Sequence, residues 1–137
     1  MRMLALKSRM VRRLLLGAGG LTLIAVATTF VVISSRIGAE VRAASDMARQ
    51  QHAGDPVEAL LRFVADTNHS PGDRNRAVWA LGQLGDRRAL PVLQKYYSGE
   101  PCDHRSALCQ HELRKAIKLA AGGVNVTAMV WRHSARR

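Results

Sequence analysis

The spacing of apolar residues changes twice along the chain. Leu14 to Ile33 is an unbroken run of 20 residues with neither a charge nor a proline. A helix of that length spans about 30 Å, the hydrocarbon thickness of a bilayer. Ser34 to Gly54 is polar and Ala-rich, and Val41, Ala44, Met47 and Ala48 form a weak helical stripe. From Asp55 onward the apolar residues fall into short helical faces separated by start and stop signals. Asp55-Pro56 and Ser70-Pro71 each place a capping residue before a proline at the first helical position. Ala59, Leu60, Phe63 and Val64 give the first face, and that helix stops near Thr67-Asn68. Ala77, Val78, Leu81 and Leu84 give the second. Gly85 suits the left-handed residue after a helix, and Asp86 suits the cap of the next. A third helix is predicted over 87–97, with Pro91 near its start, where a missing N–H costs least. Ser98-Gly99-Glu100-Pro101 breaks the chain. A fourth helix is predicted over 106–121, carrying Leu108, Leu113, Ala116, Ile117 and Ala120. Beyond Gly122-Gly123, Val124, Val126, Ala128 and Val130 alternate in a strand-like way without an evident partner strand. The tail is therefore read as irregular or a short helix. The fold class is all-α.

Charge sharpens this division. The chain of 137 residues has a formal net charge of +11. Arg2, Lys7, Arg9, Arg12 and Arg13 precede the apolar run without an acid, and Arg132, Arg136 and Arg137 follow Gly123. The basicity belongs mostly to the ends. Nucleic-acid binding would want a basic face with stacking aromatics on the folded part. Two Trp, two Tyr and two Phe do not supply an obvious one, so no nucleic-acid partner is expected. The N-terminal charges instead flank a span. A cleaved signal peptide is the rival reading, with Ile37-Gly38-Ala39 as an acceptable site. Its apolar region would be only about 7–15 residues long, and the longer run here favours an anchor. Five Lys/Arg before the span outnumber Arg36, Arg42 and Arg49 just after it. The positive-inside bias then places the N-terminus in the cytoplasm and residues 34–137 outside.

The first and third helices repeat each other. Ala59-Leu60 and Ala89-Leu90 stand 30 residues apart, a period that marks stacked helical hairpins. Ala80, Leu81, Gly82, Leu84, Gly85, Asp86, Arg88, Ala89, Leu90, Pro91 and Leu93 resemble the A-L-G-x-L-G-D-x-R-A-L-P-x-L pattern of HEAT-like repeats of the phycobilisome-lyase type. Arg74 and Ala77 fit its upstream Arg and Ala. The resemblance covers one full repeat, with half-repeats at 56–66 and 106–121, and an insertion at 99–109 stretches the last. It implies a helical stack that serves as a protein-binding scaffold. Some members are implicated in bilin attachment, but no catalytic motif is found here to carry over. Trp79 occupies a position that is usually polar and outward in this repeat type. It is read either as a partner contact or as packing against the 34–54 segment, the tail or a neighbouring helix.

Both cysteines lie in one stretch, Cys102 to His111. Outside the cytoplasm an even pair points to a Cys102–Cys109 disulfide closing a small loop. Cys102, His104, Cys109 and His111 also offer the ligand types of a Cys2His2 zinc site, though C-x-H-x4-C-x-H is not a familiar finger spacing, and free thiols are the third possibility. Cysteine catalysis is weaker, because no acid is clearly placed to orient His104 or His111. Asn125-Val126-Thr127 is a glycosylation triplet, of consequence only where that machinery exists.

The expected protein is thus a membrane-anchored scaffold with a basic segment at 1–13, a transmembrane helix at 14–33, a stalk at 34–54, a repeat domain of about four helices at 55–123 and a basic tail at 124–137. Its partners are the lipid bilayer and another protein or a second copy, and no cofactor and no enzymatic activity are expected. Arg74, Trp79, Arg87 and Arg88 are the candidate contacts. The alternative is an enzyme accessory with a metal, redox or bilin-handling site at 102–111.

Overall fold

A computed structural model describes the backbone of residues 2–102 and 107–134, with side chains for 17–102 and 107–132. His104 and residues 135–137 lie outside the described residues. The described residues form six α-helices and one 3-10 turn, with no strand among them. The helices are α1 (Arg2–Gln51), α2 (Pro56–Ala65), α3 (Pro71–Leu84), α4 (Leu90–Tyr96), α5 (Gln110–Ala120) and α6 (Val126–Ser134). The 3-10 turn, Arg87–Ala89, leads into α4.

The start signals work as their chemistry requires. Asp55 accepts hydrogen bonds from the N–H groups of Val57 and Glu58 at 2.9 and 3.0 Å, satisfying two of the donors orphaned at a helix N-terminus. The Ser70 hydroxyl accepts from the Asp73 N–H at 3.1 Å and donates to the Asp73 carboxylate at 2.7 Å. Gly85 ends α3 at φ +64°, a left-handed conformation in which a side chain is strained. The orphaned carbonyls of Gln83 and Leu84 are met by the Arg132 guanidinium, which reaches across from α6.

The packed unit extends beyond 55–123 at both ends. The 34–54 segment, read as a stalk or as a helical continuation of the span, is that continuation, with α1 running through it to Gln51 without a break, and it packs against the repeat. Ser34, Val41, Ala44, Ser45 and Ala48 are buried, and Gly38 lies with them. This is one stripe at helical spacing, made of small residues that let α2, α3 and α6 approach closely. The tail, read as irregular or a short helix, is a short helix. Val126–Ser134 forms α6, with Ala128 and Trp131 buried. The indole of Trp131 lies so near Gly38 that a Cβ built there would stand 2.6 Å from the Trp131 Cβ. The alternation of Val124 to Val130 fails as a strand signal because α6 buries only every third residue, Ala128 and Trp131, and leaves Val124, Val126 and Met129 exposed.

The core holds Leu60, Phe63 and Val64 of α2, Val78 and Leu81 of α3, Leu93 of α4 and Leu113 of α5. A close crossing brings α3 onto α5. There Gly82 faces Ala116, and a Cβ at Gly82 would lie 2.8 Å from the Ala116 Cα. Below the packed unit the same long helix is bare. Leu21, Leu23, Ile24, Val26, Phe30, Val31, Val32 and Ile33 are all exposed. Helix α1 is long and apolar enough to cross a membrane.

Candidate functional site

The chemistry-bearing side chains gather around α5. After α4 ends at Tyr96, the chain loops out and returns at Cys109. Gln110 knits this loop together. Its Oε1 accepts from the N–H groups of Ser98 and Gly99 at 2.8 and 3.3 Å. Its Nε2 donates to the carbonyls of Tyr96 and Leu108, each at 3.2 Å. Asn75 on α3 fixes the far end by accepting from the Cys109 N–H at 2.7 Å. Both cysteines are free thiols with their Sγ atoms 2.9 Å apart. They differ in environment. Cys102 is half-buried and its sulfur accepts from the His111 N–H at 3.2 Å, whereas Cys109 is buried. Hydrogen bonding from Cys109, helped by the His111 N–H, lowers the Cys102 pKa. Burial, then the bond to Cys102, raises that of Cys109. The two neighbouring thiols therefore differ in acidity, Cys102 being the more acidic. The four-residue ligand set weighed as the alternative to a disulfide involves His104, so it lies outside the described residues in part. The His111 ring faces Arg114 at 3.2 Å.

The second feature is a groove of about 270 Å³ between α3, α5 and the start of the tail, lined by Trp79, Gly82, Gln83, Glu112, Lys115 and Leu119 among others. Trp79 forms its wall. The residue is half-buried, packed against the core and lining the groove, which is the packing reading of the two. Lys115 pairs with Glu112 at 3.2 Å on the rim.

The three arginine candidates divide. Arg74 donates its Nε–H to the Val64 carbonyl at 2.8 Å and sits 5.8 Å from the Tyr96 ring centre, so it ties α2 to α3 and α4. Arg88 bonds Asp55 at 2.6 Å and Asp86 at 2.9 Å, joining the caps of two successive units. Arg87 is exposed. Of the three, only Arg74 and Arg88 make ties of this kind among the described residues. Asn125, first residue of the glycosylation triplet, caps α6 by accepting from the Ala128 N–H at 3.1 Å, and its amide donates to Gln83 at 2.8 Å.

Residues 73–99 match a family model described as the PBS lyase HEAT-like repeat. The HEAT-like repeat therefore coincides with α3, the 3-10 turn and α4, the hairpin whose sequence carried the resemblance. The chain is also similar to the deoxyhypusine hydroxylase of Schizosaccharomyces pombe, 34% identical over 77 residues, 56% of this chain and 23% of that enzyme. The chain spans less than a quarter of that relative's length. No solved structure matches. This relative corrects one expectation. It is an enzyme, so a HEAT-like chain with no recognisable catalytic motif is not thereby marked as non-enzymatic.

Sequence reasoning missed one cluster. His52, just after α1, meets Asp66 and His69 at the corner between α2 and α3. No motif announces it, because the partners lie on either side of a whole helix. The only hint in the sequence is two histidines near the ends of predicted helices.

Proposed function

We propose that this chain is a membrane-anchored HEAT-like repeat module, its N-terminus cytoplasmic and its packed unit outside, which docks a protein partner or a second copy through the Trp79 groove. The observation that carries this reading is the two-fold use of α1. Between Gly17 and Ile33 it carries no charge and is exposed on every side, as lipid-facing helices are. Its upper half belongs to the repeat core. The docking part rests on Trp79, a large, partly exposed aromatic beside a rimmed hollow, the kind of residue that dominates interface energetics. The Cys102–Cys109 pair fits the same compartment. Bringing two sulfurs from 2.9 Å to the bonded distance of about 2.05 Å takes a shift of under about 1 Å.

The test uses the full chain in native membranes. A photo-crosslinking residue at Lys118 on the groove rim is expected to capture a discrete second species, and Trp79→Ala is expected to abolish it. A chain that stays single at every expression level would sink the docking reading. Release of the chain into the soluble fraction by alkaline carbonate would sink the anchor. Mild oxidation by oxidised glutathione should remove two hydrogens per chain as the disulfide forms, the electrons passing to glutathione. Alkylation below pH 8 should mark Cys102 well before Cys109, and equal rates would contradict the assigned thiol order.

A further inference from the structure

We propose that His52, Asp66 and His69 form a binding site for a divalent transition-metal ion of the zinc class, with water in the remaining position, and that the ion clamps the end of α1 to the α2–α3 corner. Three observations carry it. The first is convergence. One ligand atom from each side chain lies within 4.8 Å of the others. Asp66 Oδ2 is 3.9 Å from His52 Nε2 and 3.5 Å from His69 Nε2. Zinc bonds of about 2.0–2.2 Å put tetrahedral ligands about 3.4 Å apart, so closing the site needs side-chain shifts of about 1 Å.

The second is unmet demand. Both Nε2 atoms are buried and neither has a hydrogen-bond partner among the described residues. At these distances the carboxylate is too far to serve as acceptor for either. Two buried nitrogens left bare beside one carboxylate are costly, and a cation at their centre would satisfy all three at once.

The third is preorganisation. The Phe63 ring stacks flat on His69, with centres 3.7 Å apart and planes 6° from parallel, and meets the edge of His52 at 6.0 Å. Phe63 is itself buried in the core, so it acts as a fixed post for both imidazoles. The other carboxylate oxygen, Asp66 Oδ1, accepts from the Asn68 N–H at 2.9 Å, which holds the carboxylate while Oδ2 faces the histidines. A supported donor of this kind is what ordered metal sites use to fix their ligands. Two imidazoles and a carboxylate suit zinc, cobalt or iron rather than the hard cations that prefer all-oxygen sites. The Asp66 side chain is 28% exposed, so water can reach the site.

The ion would join segments that the backbone does not fix together. His52 follows the last turn of α1, its N–H bonded to the Ala48 carbonyl at 2.8 Å. Asp66 and His69 belong to a corner between two repeat helices.

The experiment uses the full chain in detergent, purified without a histidine tag, stripped by chelator and titrated with Co2+ and then Zn2+. One ion per chain is expected, with weak visible d–d bands of a nitrogen–oxygen site and a rise in Tm on loading. His69→Ala and Asp66→Asn should each weaken binding by about 100-fold. Asp66→Asn keeps the oxygen that accepts from Asn68, so it reads ligation apart from folding, and circular dichroism checks helix content in both variants. The Cys102→Ser/Cys109→Ser double variant should bind as the wild type does. No binding, binding unchanged in Asp66→Asn, or an intense sulfur-to-cobalt charge-transfer band that disappears in the double cysteine variant would each overturn the proposal.

Discussion

At Gly82 a single methyl group decides whether two helices can touch. A Cβ there would press on the Ala116 backbone, which cannot rotate away as a side chain can. Gly82→Ala is expected to cost about 1–3 kcal/mol from overpacking, against which better helix propensity returns up to about 1 kcal/mol. Gly19→Ala, with nothing within 4 Å, is expected to leave stability unchanged or slightly raised. Thermal unfolding of the two variants side by side checks this, and equal Tm shifts would contradict the crossing. The Arg88 network makes a second prediction. Hydrogen bonds from the Arg88 side chain, with backbone N–H groups assisting, hold the Asp55 and Asp86 carboxyls below the usual carboxylate range. A folded carboxyl depressed in this way contributes stability that is complete above the unfolded value near pH 4 and is lost as pH falls through the folded value. Arg88→Met should therefore lower Tm slightly at pH 7 and converge with the wild type once the pH has fallen through the depressed folded values of the two carboxyls. A gap that persists in acid would mean that packing, not charge, accounts for the effect.

At the scale of elements, α6 is the most informative. Its Trp131 fills the dent at Gly38, and its Arg132 closes the end of α3. Trp131→Ala is expected to destabilise by about 3–5 kcal/mol, as large as many core truncations, although the residue lies seven from the end of the chain. A loss below about 1 kcal/mol by chemical denaturation would show α6 to be an ornament. Elements with local signals were legible. Asp55-Pro56, Ser70-Pro71 and Gly85 each fixed a helix boundary because capping is decided within four residues. Elements defined by a partner were not. Trp131 has meaning only against Gly38, 93 positions away, and the Val124–Val130 alternation concealed it. His52, Asp66 and His69 were missed for the same reason. Cys102 and Cys109 were legible as a pair because their loop closes locally, but Asn75, which positions one of them, was not.

At the scale of the whole molecule, the packed unit begins inside α1. A chain lacking residues 1–33 should keep the buried stripe of Ser34 to Ala48 and fold as a monomer or small oligomer without detergent. A chain lacking residues 1–54 removes that stripe and uncovers α2, α3 and α6. It should be unfolded or aggregated, despite retaining all of the 55–123 region from which a domain would be cut on sequence grounds. Circular dichroism and size-exclusion chromatography separate the two outcomes. If the shorter chain folded as well as the longer one, α1 would be a tether rather than part of the core.

The unbroken course of α1 has a mechanical consequence. A helix of 50 residues is a rod of about 75 Å, and its upper third is bolted into the repeat with no hinge between. Any tilt imposed on its lower end swings the repeat as a lever swings its load. A tilt of about 20°, common for spans, acting over the roughly 18 residues from Ser34 to Gln51 moves the far end sideways by about 9 Å. Any turn of the rod about its own axis points the Trp79 groove to a new compass bearing. Two such rods associating along their lower halves would therefore set which faces of their repeats meet, with no instruction from the repeats themselves.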